Sequence, residues 1–379
     1  MDLKFGSAQA APGSKAWGQI RVREAGMQAR IPTVVINGMK SGEHVLFLAN
    51  QHGGEVNGIE SIRRFVEDVD PKKLRGSVFA VPSANPKAAM LANEYYPEDA
   101  TPEESERYRG GAYRPPDYDR NVCPWNMNRV WPGRKGGNLV ERVVYEIWNR
   151  GVMAPHRRAS LLVDIHCHQS DSAVYCTYRQ DIDVAVASGV PTAIYTRAGS
   201  SDLHYSRKAC RDAGIQSLTF ELGRQGRFRP LSVEEGRRGL MNLIKFWGMY
   251  PGKLDLPKKV LILDPWRNDI EQKEYARPSC ETFTAKKAGL VYLCKGSFEK
   301  VKKGDLLYYT IDPATGRVVE EGRSSMTGVM YTPVRSLALV KKGERVCAVS
   351  YCRSVSPAEY VKRLNVEDYR NLKPGQVRD

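Results

Sequence analysis

Apolar residues fall into two rhythms over the first two-thirds of the chain. One is the short continuous run: IPTVVING at 31–38, HVLFLAN at 44–50, GSVFAVP at 76–82, SLLVDIH at 160–166 and SLTFELG at 217–223. Runs of that length, bounded by Gly, Pro, Asn or charge, suit strands buried on both faces of a sheet. The other rhythm is helical. In NGIESIRRFVEDV at 57–69, Ile59, Ile62, Phe65, Val66 and Val69 share a face, with charges between them. LVERVVYEIWNR at 139–150 and VEEGRRGLMNLIKFWGMY at 233–250 read the same way. Helices alternating with apolar strands predict an α/β architecture with a mixed, largely parallel sheet flanked by helices. Residues 93–120, rich in Pro, Tyr and charge, interrupt the rhythm as a long loop or insertion. Loops of that length inside a compact domain are usually functional or disordered.

The pattern changes after PGKLDLP at 251–257, which reads as a linker. From about Arg267 to Val349, Gly-rich hairpin-like pieces dominate: GRVVEEG, TGVMYTP and KKGERVCAVS. They predict a small all-β, barrel-like domain. The expected organisation is therefore a catalytic α/β domain at 1–252, a β-rich C-terminal domain at 253–350 and a tail at 351–379.

Composition narrows the class. With 41% apolar and 27% charged residues in 379, disordered, collagen-like and coiled-coil readings are excluded. A net charge of +15 invites a polyanionic partner, but the basic residues form only short clusters such as Lys286-Lys287 and Lys302-Lys303. No nucleic-acid motif accompanies them, which argues against nucleic acid and leaves steering of a small anionic substrate. The first 20 residues contain no apolar core of a signal peptide, and no run approaches the ~18 apolar residues of a membrane span. A cytoplasmic, membrane-free protein is expected. Eight cysteines without a CxxC pair are read as reduced thiols.

Chemistry concentrates at strand ends. His52 and Glu55, three residues apart in NQHGGE, follow the run HVLFLAN, on the kind of loop where α/β sheets place ligands. His166 ends LLVDIH and would reach the same edge. Two His and one Glu, with a position left for water, form the ligand set of hydrolytic zinc sites. Strand alternation puts Asp164 and His168 on the face of His166. By spacing alone His168 competes as the ligand, and Asp164 is either plain alternation or a residue that orients a ligand. Glu221, ending SLTFELG, could serve as general base toward a metal-activated water. In NMNRVWPGR, Asn128 and Arg129 offer a polar pair whose guanidinium fork suits a substrate carboxylate. Arg120, upstream, is a second cation able to polarise a scissile carbonyl.

The order and rough spacing of HGGE, NMNRVWPG, DIH and FELG resemble the succinylglutamate desuccinylase/aspartoacylase family of carboxypeptidase A-like zinc deacylases, over about residues 30–350. The resemblance implies one zinc ion per chain on His52, Glu55 and His166. It implies Glu221 as general base, Asn128 and Arg129 as the carboxylate clamp, and Arg120 as the carbonyl-polarising arginine. The implied reaction is hydrolysis of an N-acylated amino acid or related small carboxylate. A metallocarboxypeptidase acting on a short peptide is the alternative enzyme, and a zinc-stabilised binding protein the non-enzyme one. Family members often form homo-oligomers. Many members carry Asp where this chain has Asn126; the Asn form looks more like deacylases acting on N-acetyl-diaminobutyrate. The β-rich region looks like the barrel-type domain that follows the family's catalytic domain and resembles a biotinyl/lipoyl hammerhead. TGVMYTP has no lysine to accept a prosthetic group, so a structural role is expected.

Overall fold

The computed structural model describes residues 1–24, 26–90, 126–168, 174–178, 182–195, 205–263, 280–331 and 339–362. Its centre is a mixed sheet of ten strands. The middle of the sheet is parallel: Arg75–Val81, Lys40–Ala49, Leu161–His168 and Gln216–Arg224 lie side by side in that order. All five apolar runs of the sequence fall in this sheet, the first within the strand Met27–Asn37. The mixed α/β expectation is met.

Strand alternation divides the apolar residues between two cores. Val45, Phe47, Ala49, Val163, Ile165, Phe220 and Leu222 point into one, against the helices Asn57–Asp68 and Pro230–Phe246. Leu46, Leu48 and Leu162 point into the other, with Met127, Trp131 and the helix Leu139–Ile147. The first helix buries Ile62, Phe65 and Val66 and exposes Arg63, Arg64 and Glu67, as its spacing requires. It starts hard against the sheet because position 58 is glycine: a Cβ there would sit 2.7 Å from Ile165 Cγ2 and 2.8 Å from Ala49 Cβ.

The β-rich region forms two four-stranded antiparallel sheets around Val301, Leu307, Met330 and Val346. The strands on either side of it, Val260–Leu263 and Cys352–Val355, pair with each other at the edge of the large sheet. Among the described residues no helix is long and apolar enough to cross a membrane.

At the amino end of the parallel strands lies a buried polar chain. His44 Nε2 is 2.7 Å from the Gly151 carbonyl, His44 Nδ1 is 2.9 Å from Ser77 Oγ, and Ser77 Oγ is 3.1 Å from His156 Nε2. A carbonyl only accepts, so His44 donates from Nε2, accepts from the Ser77 hydroxyl at Nδ1, and Ser77 accepts from His156. Burial pushes the His44 pKa down to about 3 and also lowers that of His156.

Candidate metal centre

The opposite, carboxyl end of the same strands carries the sequence-predicted ligands. Asn50 closes the strand Lys40–Ala49 in a left-handed conformation (φ 60°), which asparagine tolerates better than most residues. Its side-chain amide donates to the carbonyls of His52, Gly53 and Glu55 at 2.8, 3.1 and 3.2 Å, and its Oδ1 accepts from Ser83 at 2.7 Å. That one side chain curls the HGGE loop back over the strand end. His52 and Glu55 are thereby brought to His166.

The three are buried, at 1%, 4% and 4% exposure, and one ligand atom from each lies within 4.8 Å of the others. Glu55 bridges the imidazoles: Oε1 is 2.8 Å from His52 Nδ1, and Oε2 is 2.7 Å from His166 Nδ1. Burial alone would raise the Glu55 pKa, but the charges of His52 and His166 outweigh it and hold the carboxyl well below its usual range. Burial likewise would lower the His166 pKa, and the carboxylates of Asp164 and Glu55 together hold it well above the usual value. At both groups the neighbouring opposite charge outweighs burial. Two imidazole nitrogens and a carboxylate that converge while buried fit a zinc ion by the chemistry of the donor set.

The imidazole facing Glu55 belongs to His166, whereas the ring of His168 packs beside Tyr175 at 6.2 Å between centroids. Glu221 is the register partner of His166 on the adjacent parallel strand, so the two side chains share a face. Its neighbours Phe220 and Leu222 point into the core on the other side. A bulge follows between Glu221 and Arg224, with Gly223 at φ 67°, and Asn57 Nδ2 holds it through the Leu222 carbonyl at 2.7 Å. On the far side of Glu221 its register partner is Tyr175, whose ring meets Phe298 of the β-rich region edge-on at 5.6 Å. The β-rich region thus reaches the strand next to Glu221.

The NMNR segment lies over the cluster as one short 3-10 turn, Met127–Arg129. Asn128 Nδ2 is 3.5 Å from His166 Nε2. Arg129 is 8% exposed, donates to the Asn128 carbonyl at 2.9 Å and stacks on the Tyr205 ring at 4.0 Å. Arg120 and the insertion at 93–120 lie outside the described residues.

Sequence reasoning gave no site role to three participants, Asn126 among them although its position had been singled out. Asn126 Oδ1 lies 3.1 Å from His52 Nε2, Gln51 binds Asp164, and Ser206 binds the same carboxylate. Gln51 and Asn126 flank residues already singled out, and a polar residue beside a ligand was the available signal. Ser206 is remote in sequence and carried none.

A model of the succinylglutamate desuccinylase/aspartoacylase catalytic domain matches residues 41–247, the stretch that carries His52, Glu55, His166 and Glu221. The chain belongs to the succinylglutamate desuccinylase/aspartoacylase family. One relative within reach of sequence comparison is the N-alpha-acetyl-L-2,4-diaminobutyric acid deacetylase of Halomonas elongata. It is 24% identical over 255 residues, which are 64% of this chain and 63% of the relative. This chain therefore spans less than two-thirds of that enzyme. In fold, the chain is similar to a succinylglutamate desuccinylase/aspartoacylase from Rhodobacter sphaeroides, with 19% identity, a TM-score of 0.67, and 89% and 95% of the two chains covered. The product-bound ectoine utilization protein EutE (DoeB) from Ruegeria pomeroyi is similar to the same extent, at 20% identity, a TM-score of 0.66 and the same coverage. Succinylglutamate desuccinylase/aspartoacylase family architecture thus extends beyond the matched catalytic segment into the β-rich region. Hydrolytic deacylation is the chemistry these family names share.

Proposed function

We propose that the protein is a zinc-dependent hydrolase that removes an acyl group from an N-acylated amino acid or a related small carboxylate, with one zinc per chain on His52, Glu55 and His166. The buried convergence of these three side chains beside Glu221 is the observation that carries the reading. Bound there, zinc would supply Lewis acidity and a water of lowered pKa. Glu221 would take a proton from the attacking water and return it to the leaving nitrogen. Arg129, backed by Tyr205, would hold the substrate carboxylate through two hydrogen bonds and so set the amide's orientation, with Asn128 beside it. Arg120 is the arginine proposed to polarise the scissile carbonyl.

The acetyl-diaminobutyrate deacetylase among the relatives supports a linear amide as substrate. Within this reading residues 1–252 carry the hydrolase, 253–350 a structural β-rich unit and 351–379 a tail, and the enzyme works in the cytoplasm. A panel of N-acyl amino acids against short peptides separates the deacylase from a carboxypeptidase. The deciding variant is Glu221→Gln. It should keep its zinc and lose about 10²- to 10⁴-fold in kcat. Full turnover in that variant removes Glu221 from the mechanism.

A further inference from the structure

Behind His166 lies a polar unit that the hydrolytic steps leave unused. Trp131, Gln51, Asp164 and Ser206 are each at most 1% exposed and come from four separate segments. Trp131 Nε1 donates to Gln51 Oε1 at 2.9 Å, Gln51 Nε2 donates to Asp164 Oδ2 at 2.7 Å, and Ser206 Oγ donates to that oxygen at 2.6 Å. An indole N–H only donates and a carboxylate only accepts, so the Gln51 amide has one productive orientation between them. Both donors converge on Oδ2. Oδ1 receives no directed hydrogen bond and sits 3.2 Å from His166 Nε2 as a charge contact. A buried carboxylate with one oxygen left undonated is costly unless a group bearing an N–H faces it. His166 is that group, and its other nitrogen is turned to Glu55.

The geometry points to a positioning relay: Trp131, Gln51 and Ser206 hold Asp164 so that its second oxygen fixes the His166 ring, Nε2 toward the carboxylate and Nδ1 toward the metal pocket. This rests on the reading of His52, Glu55 and His166 as ligands. The relay also ties the parts of the site together. Gln51 directly precedes the ligand His52, Trp131 follows the clamp residue Arg129 by two positions, and Ser206 adjoins Tyr205, on which Arg129 stacks. Apolar side chains of the same volume would fill the space without desolvating an anion, so packing alone does not account for the unit.

The test is zinc affinity of the full chain, read by competition with a chromogenic chelator. Asp164→Asn should weaken binding about 10- to 100-fold, the usual effect of removing a partner that orients a ligand. Trp131→Phe, which keeps a ring and deletes one N–H, and Gln51→Met should each cost about 3- to 10-fold, equivalent to one net hydrogen bond. Trp131→Phe combined with Asp164→Asn should bind no more weakly than Asp164→Asn alone, because the indole acts through the carboxylate. Wild-type affinity in both Trp131→Phe and Gln51→Met, or losses that simply add in the double variant, overturns the relay. Should Asp164→Asn fail to fold by thermal melting, the other two single variants carry the same decision. A wild-type chain that takes up no zinc overturns the ligand reading and the relay together; a zinc-binding wild type with unaffected variants overturns the relay alone.

Discussion

The two ends of the parallel strands bury histidines in opposite electrostatic states. At the amino end His44 is wrapped in neutral partners, the Gly151 carbonyl and the Ser77 hydroxyl, and burial drives its pKa down to about 3. At the carboxyl end His166 is buried as deeply, yet Asp164 and Glu55 hold its pKa well above the ordinary value. Depth is therefore not what distinguishes His44 from the proposed ligand His166. The difference is whether carboxylates share the burial, because an anion offsets the cost of keeping positive charge out of water. One end of the sheet excludes a cation and the other is built to keep one.

The largest expected effect removes the anion at the cation-holding end. Glu55→Gln keeps size and shape but leaves the two imidazoles without their shared charge. Since orienting partners alone are worth about 10- to 100-fold in metal affinity, losing a ligand should cost at least about 100-fold, again measured by chelator competition. Undiminished zinc binding would break the contrast between the ends.

A smaller effect belongs to the amino end. Ser77→Ala strips the donor from His44 Nδ1 and the acceptor from His156, and should destabilise the fold by about 1–3 kcal/mol in urea denaturation. Zinc affinity should not change, since nothing at the metal pocket is touched. A loss of zinc binding in this variant would mean that the two ends are not independent.

An effect of similar size sharpens the contrast through pH. The unfolded chain takes up a proton on His44 near pH 6.5, while the folded chain refuses it until about pH 3. Stability should therefore fall by about 1.4 kcal/mol per unit as pH drops below 6.5. His166 runs the other way: its raised pKa adds stability that is complete below 6.5 and is lost as pH climbs toward the folded value. The metal-free protein should thus be most stable near pH 6.5, and zinc, which displaces the His166 proton, should flatten the alkaline limb. Urea titrations of both forms between pH 5 and 8 measure this. A flat metal-free profile would show that the two ends do not differ as described.

Much of this was legible in the sequence, for physical reasons. Strands buried on both faces leave unbroken apolar runs, and polar residues at or just past their ends stand out; His52 and Glu55 follow one run by a few positions, and His166 and Glu221 lie at the ends of two others. Spacing alone left His166 and His168 open, since both share a face; the resemblance named His166, and His166 is the imidazole that meets Glu55. The hairpin Leu3–Phe5 with Ala8–Ala10 escaped because three-residue strands give no periodicity. Strand Ser14–Glu24 escaped as well: it lies at the sheet edge, and only Ile20 and Val22 along it are buried. Ser206 and Gln51 escaped as partners of Asp164 because hydrogen-bonded contacts between distant segments leave no trace in local pattern.

The pairing of Val260–Leu263 with Cys352–Val355 sets Leu263 directly opposite Cys352. Everything between them leaves and re-enters the large sheet through a single rung, as the loop of an ordinary hairpin does. The β-rich segment is in that sense an appendage grown from a turn, and its sequence is free to drift or be exchanged without re-threading any strand of the sheet. Phe298 against Tyr175 is where such drift would be felt at the metal pocket.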